Sequence, residues 1–116
     1  MDLIKERCGI ICKNNFYEIK NGSRSYYEFE FDPVDFYRIL QNYCKYSIEA
    51  IVHTHLEKCE PSSKDINSMK IWQIPWIIVS KSCIKAFVYL NESIFEINIH
   101  SLLSKELYNS LMKLLH

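Results

Sequence analysis

Apolar and polar positions change their period several times along this chain, and each change marks an element. Cys8 to Cys12 (CGIIC) and Phe16 to Ile19 are short apolar runs on either side of Asn14-Asn15, which predicts two strands joined as a hairpin. Asn21-Gly22 is a second turn signal. From Tyr27 to Asp32, Phe29 and Phe31 alternate with Glu28, Glu30 and Asp32, a period of two that predicts a strand with one wet face. Asp32-Pro33 then opens a helix with a capping side chain followed by proline at the first helical position. Its apolar stripe runs through Val34, Tyr37, Ile39, Leu40, Tyr43 and Cys44, and it ends near Lys45. Ile48 to Val52 is continuously apolar enough to be covered on both faces, and it runs straight into His53. A helix over Ser63 to Trp72 follows, then strands over Pro75 to Ser80, Ile84 to Leu90 and Ser93 to Asn98, the last two joined by a turn at Asn91-Glu92. A closing helix from Leu103 to Leu115 aligns Leu103, Leu107, Leu111, Leu114 and Leu115 for packing on the sheet. The elements predict an α/β fold, a mixed sheet flanked by helices.

Composition narrows the reading. With 116 residues, 48% of them hydrophobic, the chain suits one domain over positions 1–116. Fourteen basic residues balance fourteen acidic ones, so the long-range positive field that gathers nucleic acid is absent and no nucleic-acid partner is expected. No apolar run approaches the ~18 residues of a membrane span. The first seven residues mix acids with bases and lead into no secretory pattern, so a soluble protein of the cytoplasm is expected. The five cysteines, at 8, 12, 44, 59 and 83, form no C-x-x-C pair and are odd in number, which predicts reduced thiols, with Cys8 and Cys12 as small buried residues on one strand face.

His53-Thr54-His55 carries the clearest chemical signal. Side chains alternate along a strand, so both imidazoles leave on the same side and offer two nitrogens to one ion. Four histidines can produce such a pair by chance, so the spacing alone is weak. Asp65 strengthens it, lying ten residues on at the start of the next helix, because two histidines and a carboxylate with an open fourth position form a catalytic zinc set. Ser62 and Asp65 also read as a helix cap, S-x-x-D before an apolar run. A zinc site of this kind needs a carboxylate base, and Glu6, Glu18, Glu28, Glu30, Glu49, Glu57 and Glu60 are all candidates that periodicity does not separate.

Taken together, these residues resemble the JAMM, or MPN-plus, zinc metalloproteases. The family pattern is a glutamate shortly before a glycine on the first strand, then H-[S/T]-H-P, a short loop and S-x-x-D. Here it reads Glu6-Arg7-Cys8-Gly9, His53-Thr54-His55 and Ser62-Ser63-Lys64-Asp65, with Leu56 in place of the proline and six residues between His55 and Ser62. Asp32-Pro33-Val34-Asp35 and Ile74-Pro75-Trp76-Ile77-Ile78-Val79-Ser80 are further similar to the family's phage-tail branch, the K-type tail assembly proteins. The resemblance implies a cytidine-deaminase-like JAMM/MPN domain in which zinc is held by His53, His55 and Asp65. It also implies that Glu6 is general base and then acid, and that Ser62 helps to stabilise the oxyanion.

The activity so implied is zinc-dependent hydrolysis of an amide or isopeptide bond. The tail branch points to a tail-associated peptidase acting on tail proteins or cell-wall peptides, in the host cytoplasm or carried on the virion. The alternatives are a deconjugase for a ubiquitin-like or sulfur-carrier protein, and an inactive MPN-type scaffold. Only twelve residues lie between Asp65 and Ile78, a residue within the next strand, which leaves no room there for insertions that grip ubiquitin.

Overall fold

The structure is a computed structural model that describes residues 5–115. Residues 1–4, on which the absence of a secretory pattern partly rests, and His116 lie outside that range. Six strands form one mixed sheet: β1 (Cys8–Cys12), β2 (Asn15–Ile19), β3 (Ala50–Thr54), β4 (Trp76–Val79), β5 (Ile84–Leu90) and β6 (Ser93–Ile97). Their spatial order is β2-β1-β3-β4-β5-β6, and every pairing is antiparallel except that of β3 with β4. The hairpin turn falls at Lys13-Asn14, both at positive φ as a two-residue turn of this twist requires. Gly9 is required by close approach, since a Cβ there would stand 2.3 Å from the Tyr17 carbonyl oxygen.

Alternation on the central strands sorts the core into two layers. Ile10, Cys12, Ile51, Trp76, Ile78 and Phe87 face one side, where they pack with Ile39 of α1 (Pro33–Ile39) and Met69 of α2 (Ser63–Ile71). Ile11, Ala50, Val52, Ile77, Val79 and Ala86 face the other. There they meet Leu103, Leu107 and Leu111 in the C-terminal region of α3 (Ile99–Leu102) and α4 (Lys105–Met112). The parallel pair needs a crossover, and α2 provides it, so the carboxyl end of β3 opens beside the first turn of α2.

Several expectations are corrected. Tyr27 to Asp32 is no strand: apart from one bridge between Asn21 and Phe31 it joins no ladder. Its period of two is nonetheless meaningful, because Phe29 and Phe31 pack on the core while Glu28 and Glu30 pair with Lys64. On the first helix, Val34, Tyr37 and Tyr43 are exposed, and Phe36, Ile39, Leu40 and Cys44 turn inward. Within α1 the inward face is the regular Phe36, Ile39 and Leu40 stripe, which leaves Val34 and Tyr37 outside, and a π-helical turn over Leu40–Cys44 changes the winding where Cys44 turns inward and Tyr43 outward. The closing helix is broken at Leu103, whose backbone is extended, and restarts where Ser104 accepts a hydrogen bond from the Leu107 N–H.

The cysteines are also corrected. Cys12 is bonded to Cys44 and Cys59 to Cys83, leaving Cys8 free and buried. The first bridge fastens the end of β1 to the end of the π-turn, and the second fastens the loop after β3 to the β4–β5 turn. Neither pairing is visible in spacing, because both join elements that only the sheet brings together. On the chain-entropy account, closing a loop of this size stabilises the fold by about 3–4 kcal/mol. Burial pushes the Cys8 thiol up to about 12, and the side chain is 1% exposed. Protein denatured without reductant should therefore show one reactive thiol per chain by Ellman titration, and native protein none. Five thiols in the unreduced, denatured chain would contradict both bridges.

Candidate functional site

Four side chains singled out in the sequence meet at the carboxyl end of β3. His53 is the fourth residue of that strand and shares its face with Ile51, which directs it under α2 and leaves it 0% exposed. His55 follows one residue beyond the strand, where its N–H donates to the Val79 carbonyl at 2.9 Å and continues the β3–β4 register. The two Nε2 atoms lie 3.0 Å apart. Asp65, at the third position of α2, places Oδ2 3.1 Å from each of them. Phe29 stacks on the His53 ring with centroids 4.6 Å apart, which closes that side of the site.

The capping reading of Ser62 and Asp65 also holds. Asp65 N–H donates to Ser62 Oγ at 3.1 Å, and Ser62 N–H donates to Asp65 Oδ2 at 2.9 Å, a reciprocal box. The two readings therefore coincide, since the cap is the device that holds the carboxylate against the histidines. Ser62 keeps its own hydroxyl proton free of this box and lines the adjoining cleft.

The structure also separates the glutamates. Glu6 brings a carboxylate oxygen within 4.8 Å of ligating atoms of His53 and His55. Glu18 pairs with Arg7, Glu28 and Glu30 with Lys64, and Glu49 accepts from the Asn14 N–H. Glu57 stays on the cleft rim. The cleft holds about 230 Å³ and is bounded by Glu6, Tyr26, Tyr27, His55, Leu56 and Ser62. A larger recess of about 300 Å³, lined by Phe29, Lys64, Trp72 and Trp76, presents none of the four converging groups.

Electrostatics assigns the two carboxylates different behaviour. Burial raises Glu6 to about 7, with the His55 charge opposing and the Asp65 charge adding to the rise. Asp65 is also pressed upward by burial, but its contacts with the His53 and His55 imidazoles and the hydrogen bond from the Ser62 N–H overcome it and hold the group well below the usual carboxylate range. Burial lowers His53 against the pull of Asp65. At His55, burial opposes the charged form, yet the hydrogen bond and charge of Asp65 outweigh it and the group is raised. Asp65 is thus a standing anion, and Glu6 is a group able to take and release a proton near neutrality.

The donor set fits a metal ion. Protonating both Nε2 atoms would set two N–H groups against each other at 3.0 Å, while protonating one leaves a lone pair facing the carboxylate. One cation shared by all three atoms satisfies every contact. Tetrahedral zinc with bonds of ~2.0–2.1 Å puts neighbouring donors ~3.3–3.4 Å apart, close to the spacing seen here. With Nε2 used in this way the ring proton of His53 sits on Nδ1, which is buried and has no hydrogen-bond partner among the described residues.

Sequence reasoning missed Thr54, Asn21 and Phe29 as parts of this site. The Thr54 hydroxyl accepts from the Arg7 N–H at 2.9 Å, and the Thr54 N–H donates to the Arg7 carbonyl at 2.9 Å. Together these bonds hold the chain beside Glu6. Phe29 was signalled only as an inward position of an alternating run.

Linkage gives the Asp65 prediction its sign. Its folded-state pKa lies below the ordinary unfolded value of ~3.9, so its contribution to stability is present above that pH and is lost as pH falls through the folded value. In metal-free protein, Asp65→Asn should remove part of the acid-induced loss of stability, read as a flatter melting temperature between pH 5 and 2. An unchanged acid limb would contradict the His-bonded carboxylate.

No family model matches the chain. A curated protein named desampylase, from Pyrococcus furiosus, is 36% identical over 67 residues, which cover 54% of this chain and 47% of that protein. The chain thus spans about half the length of this curated relative. The solution structure of protein DSY2949 from Desulfitobacterium hafniense superposes with a TM-score of 0.66 at 18% identity, over 81% of this chain and 76% of that one. At this identity the second match establishes a shared fold, and the first supports a JAMM/MPN-like relationship.

Proposed function

We propose that this chain is a zinc-dependent amide hydrolase that acts as a deconjugase, releasing a ubiquitin-like or sulfur-carrier protein from the amine to which it is joined. The observation that carries the proposal is the convergence of His53, His55 and Asp65 within 3.1 Å, with Glu6 beside them in a cleft. The relative named desampylase supports the deconjugase form over a tail peptidase. The sequence features that suggested a tail role also have local explanations. Asp32 caps α1, and Trp76 is a core residue, 3% exposed, whose Nε1–H donates to the Trp72 carbonyl.

His53, His55 and Asp65 would hold zinc. When bound, it supplies a Lewis acid and lowers the pKa of a water toward ~7. Glu6 takes the proton of the attacking water and returns it to the leaving amine nitrogen. A partly buried carboxyl group beside the metal site, whose burial favours the protonated form, is suited to both steps. The products are a carboxylate and a free amine, with one water consumed. Ser62 donates its remaining hydroxyl proton toward the oxyanion, while its oxygen keeps the cap intact.

Glu6→Gln should retain zinc and fold but lose hydrolysis of a ubiquitin-like protein joined through its C terminus to a lysine amine, by 10²- to 10⁴-fold, because an amide cannot accept the proton. Metal analysis and product mass spectrometry check both halves. Full activity in that variant would remove Glu6 from the role, and an inert zinc-loaded wild type would overturn the deconjugase reading.

A further inference from the structure

We infer that Asn21 is a positioning residue for Glu6, and that its side chain couples the Glu6 backbone to the tyrosine-bearing rim of the cleft. The inference rests on the role proposed for Glu6. Glu6 lies before β1, outside the strand ladder that begins at Cys8 paired with Ile19, so the sheet does not fix it directly. Its carbonyl instead receives Asn21 Nδ2 at 2.7 Å. The same amide nitrogen donates to the Glu28 carbonyl at 3.2 Å. Asn21 Oδ1 accepts from the Ser23 N–H at 2.9 Å and from the Glu30 N–H at 3.2 Å. Two donors and two lone pairs are all a carboxamide has, and all four are used.

The segment between Gly22 and Glu30 is closed at its base by the Gly22 N–H bond to the Glu30 carbonyl at 2.8 Å, and the Asn21 side chain ties that closed loop to Glu6. Within it, Ser25 N–H donates to Ser23 Oγ and Tyr27 N–H to Ser25 Oγ, each at 3.1 Å, so Tyr26 and Tyr27 are carried on a chain of local bonds that starts at Asn21. Both tyrosines bound the cleft opened by Glu6, His55 and Ser62. One carboxamide therefore fixes the proton carrier to the surface that meets the substrate. Arg7, held by Thr54, fixes the other flank of Glu6. Displacing a reacting group by about 1 Å can cost ~10²-fold in rate, so this coupling is of catalytic size.

Asn21→Asp keeps the shape and the acceptor bonds to Ser23 and Glu30 but removes both donors. In zinc-loaded protein it should lower kcat on the lysine-linked ubiquitin-like conjugate by ~10- to 100-fold with zinc content unchanged. It should have no further effect in a Glu6→Gln background, because a residue acting through Glu6 has nothing left to position. Equal loss in both backgrounds would overturn the inference. Hydrogen exchange on metal-free protein gives a readout independent of activity. Asn21→Asp, and Asn21→Ser as a second variant, should accelerate amides of residues 5–8 and 22–30 together while leaving β3 and β4 protected. Unchanged exchange at residues 5–8, or loss of protection spread through β3 and β4, would also overturn it. If the wild type cleaves no conjugate, the deconjugase proposal fails, and the exchange result alone decides the coupling.

Discussion

A single buried oxygen gathers the residues of the candidate site. Asp65 Oδ2 lies 3.1 Å from the Nε2 atoms of both His53 and His55 and receives the Ser62 N–H at 2.9 Å, and its residue is 6% exposed. A carboxylate shut away from water must be matched by hydrogen bonds or a cation, and an unmatched one would be protonated or would destabilise the fold. Here the first turn of α2 supplies one donor and the end of β3 supplies two nitrogens that a metal can share. Removing the histidines would leave a buried anion. Removing the aspartate would leave two nitrogens facing each other with no common partner.

The rest of the fold keeps those elements in register. The parallel β3–β4 pair requires a crossover, and that crossover is the helix that brings Asp65 to the strand end. Antiparallel pairing with β1 brings the chain before Cys8, and with it Glu6, to the same end. The Cys59–Cys83 bridge and the Ser82 hydroxyl bond to the Glu57 carbonyl at 3.0 Å fasten the loop between His55 and Ser62 to the β4–β5 turn. Two carboxylates only a few ångströms from the same histidines thereby acquire opposite tendencies, one fixed as an anion and the other free to exchange a proton near neutrality.

Much of this was legible from local pattern, and what was not has a common cause. The strands over Ile84–Leu90 and the hairpin, the cap at Asp32 and the His-Thr-His geometry are written in nearest-neighbour spacing, which periodicity reads directly. The choice of Glu6 among seven glutamates is not, because it depends on which strand end β1 shares with β3, and it came from family resemblance alone. The π-turn at Leu40–Cys44 and the break at Leu103 are local departures from 3.6-residue winding that an apolar stripe averages over. Both disulfides and the Asn21 bond to the Glu6 carbonyl join residues 15 or more positions apart, so no spacing announces them.

The central claim is the division of labour between the two carboxylates, with Asp65 holding the metal and Glu6 moving the proton. Calorimetric zinc titration of Asp65→Ala and Glu6→Gln, side by side with the wild type, tests it most directly. The account predicts one zinc per chain in the wild type, near-wild-type affinity in Glu6→Gln, and affinity weakened by at least tenfold in Asp65→Ala. Strong binding in Asp65→Ala with loss of binding in Glu6→Gln would contradict it and make Glu6 the third ligand.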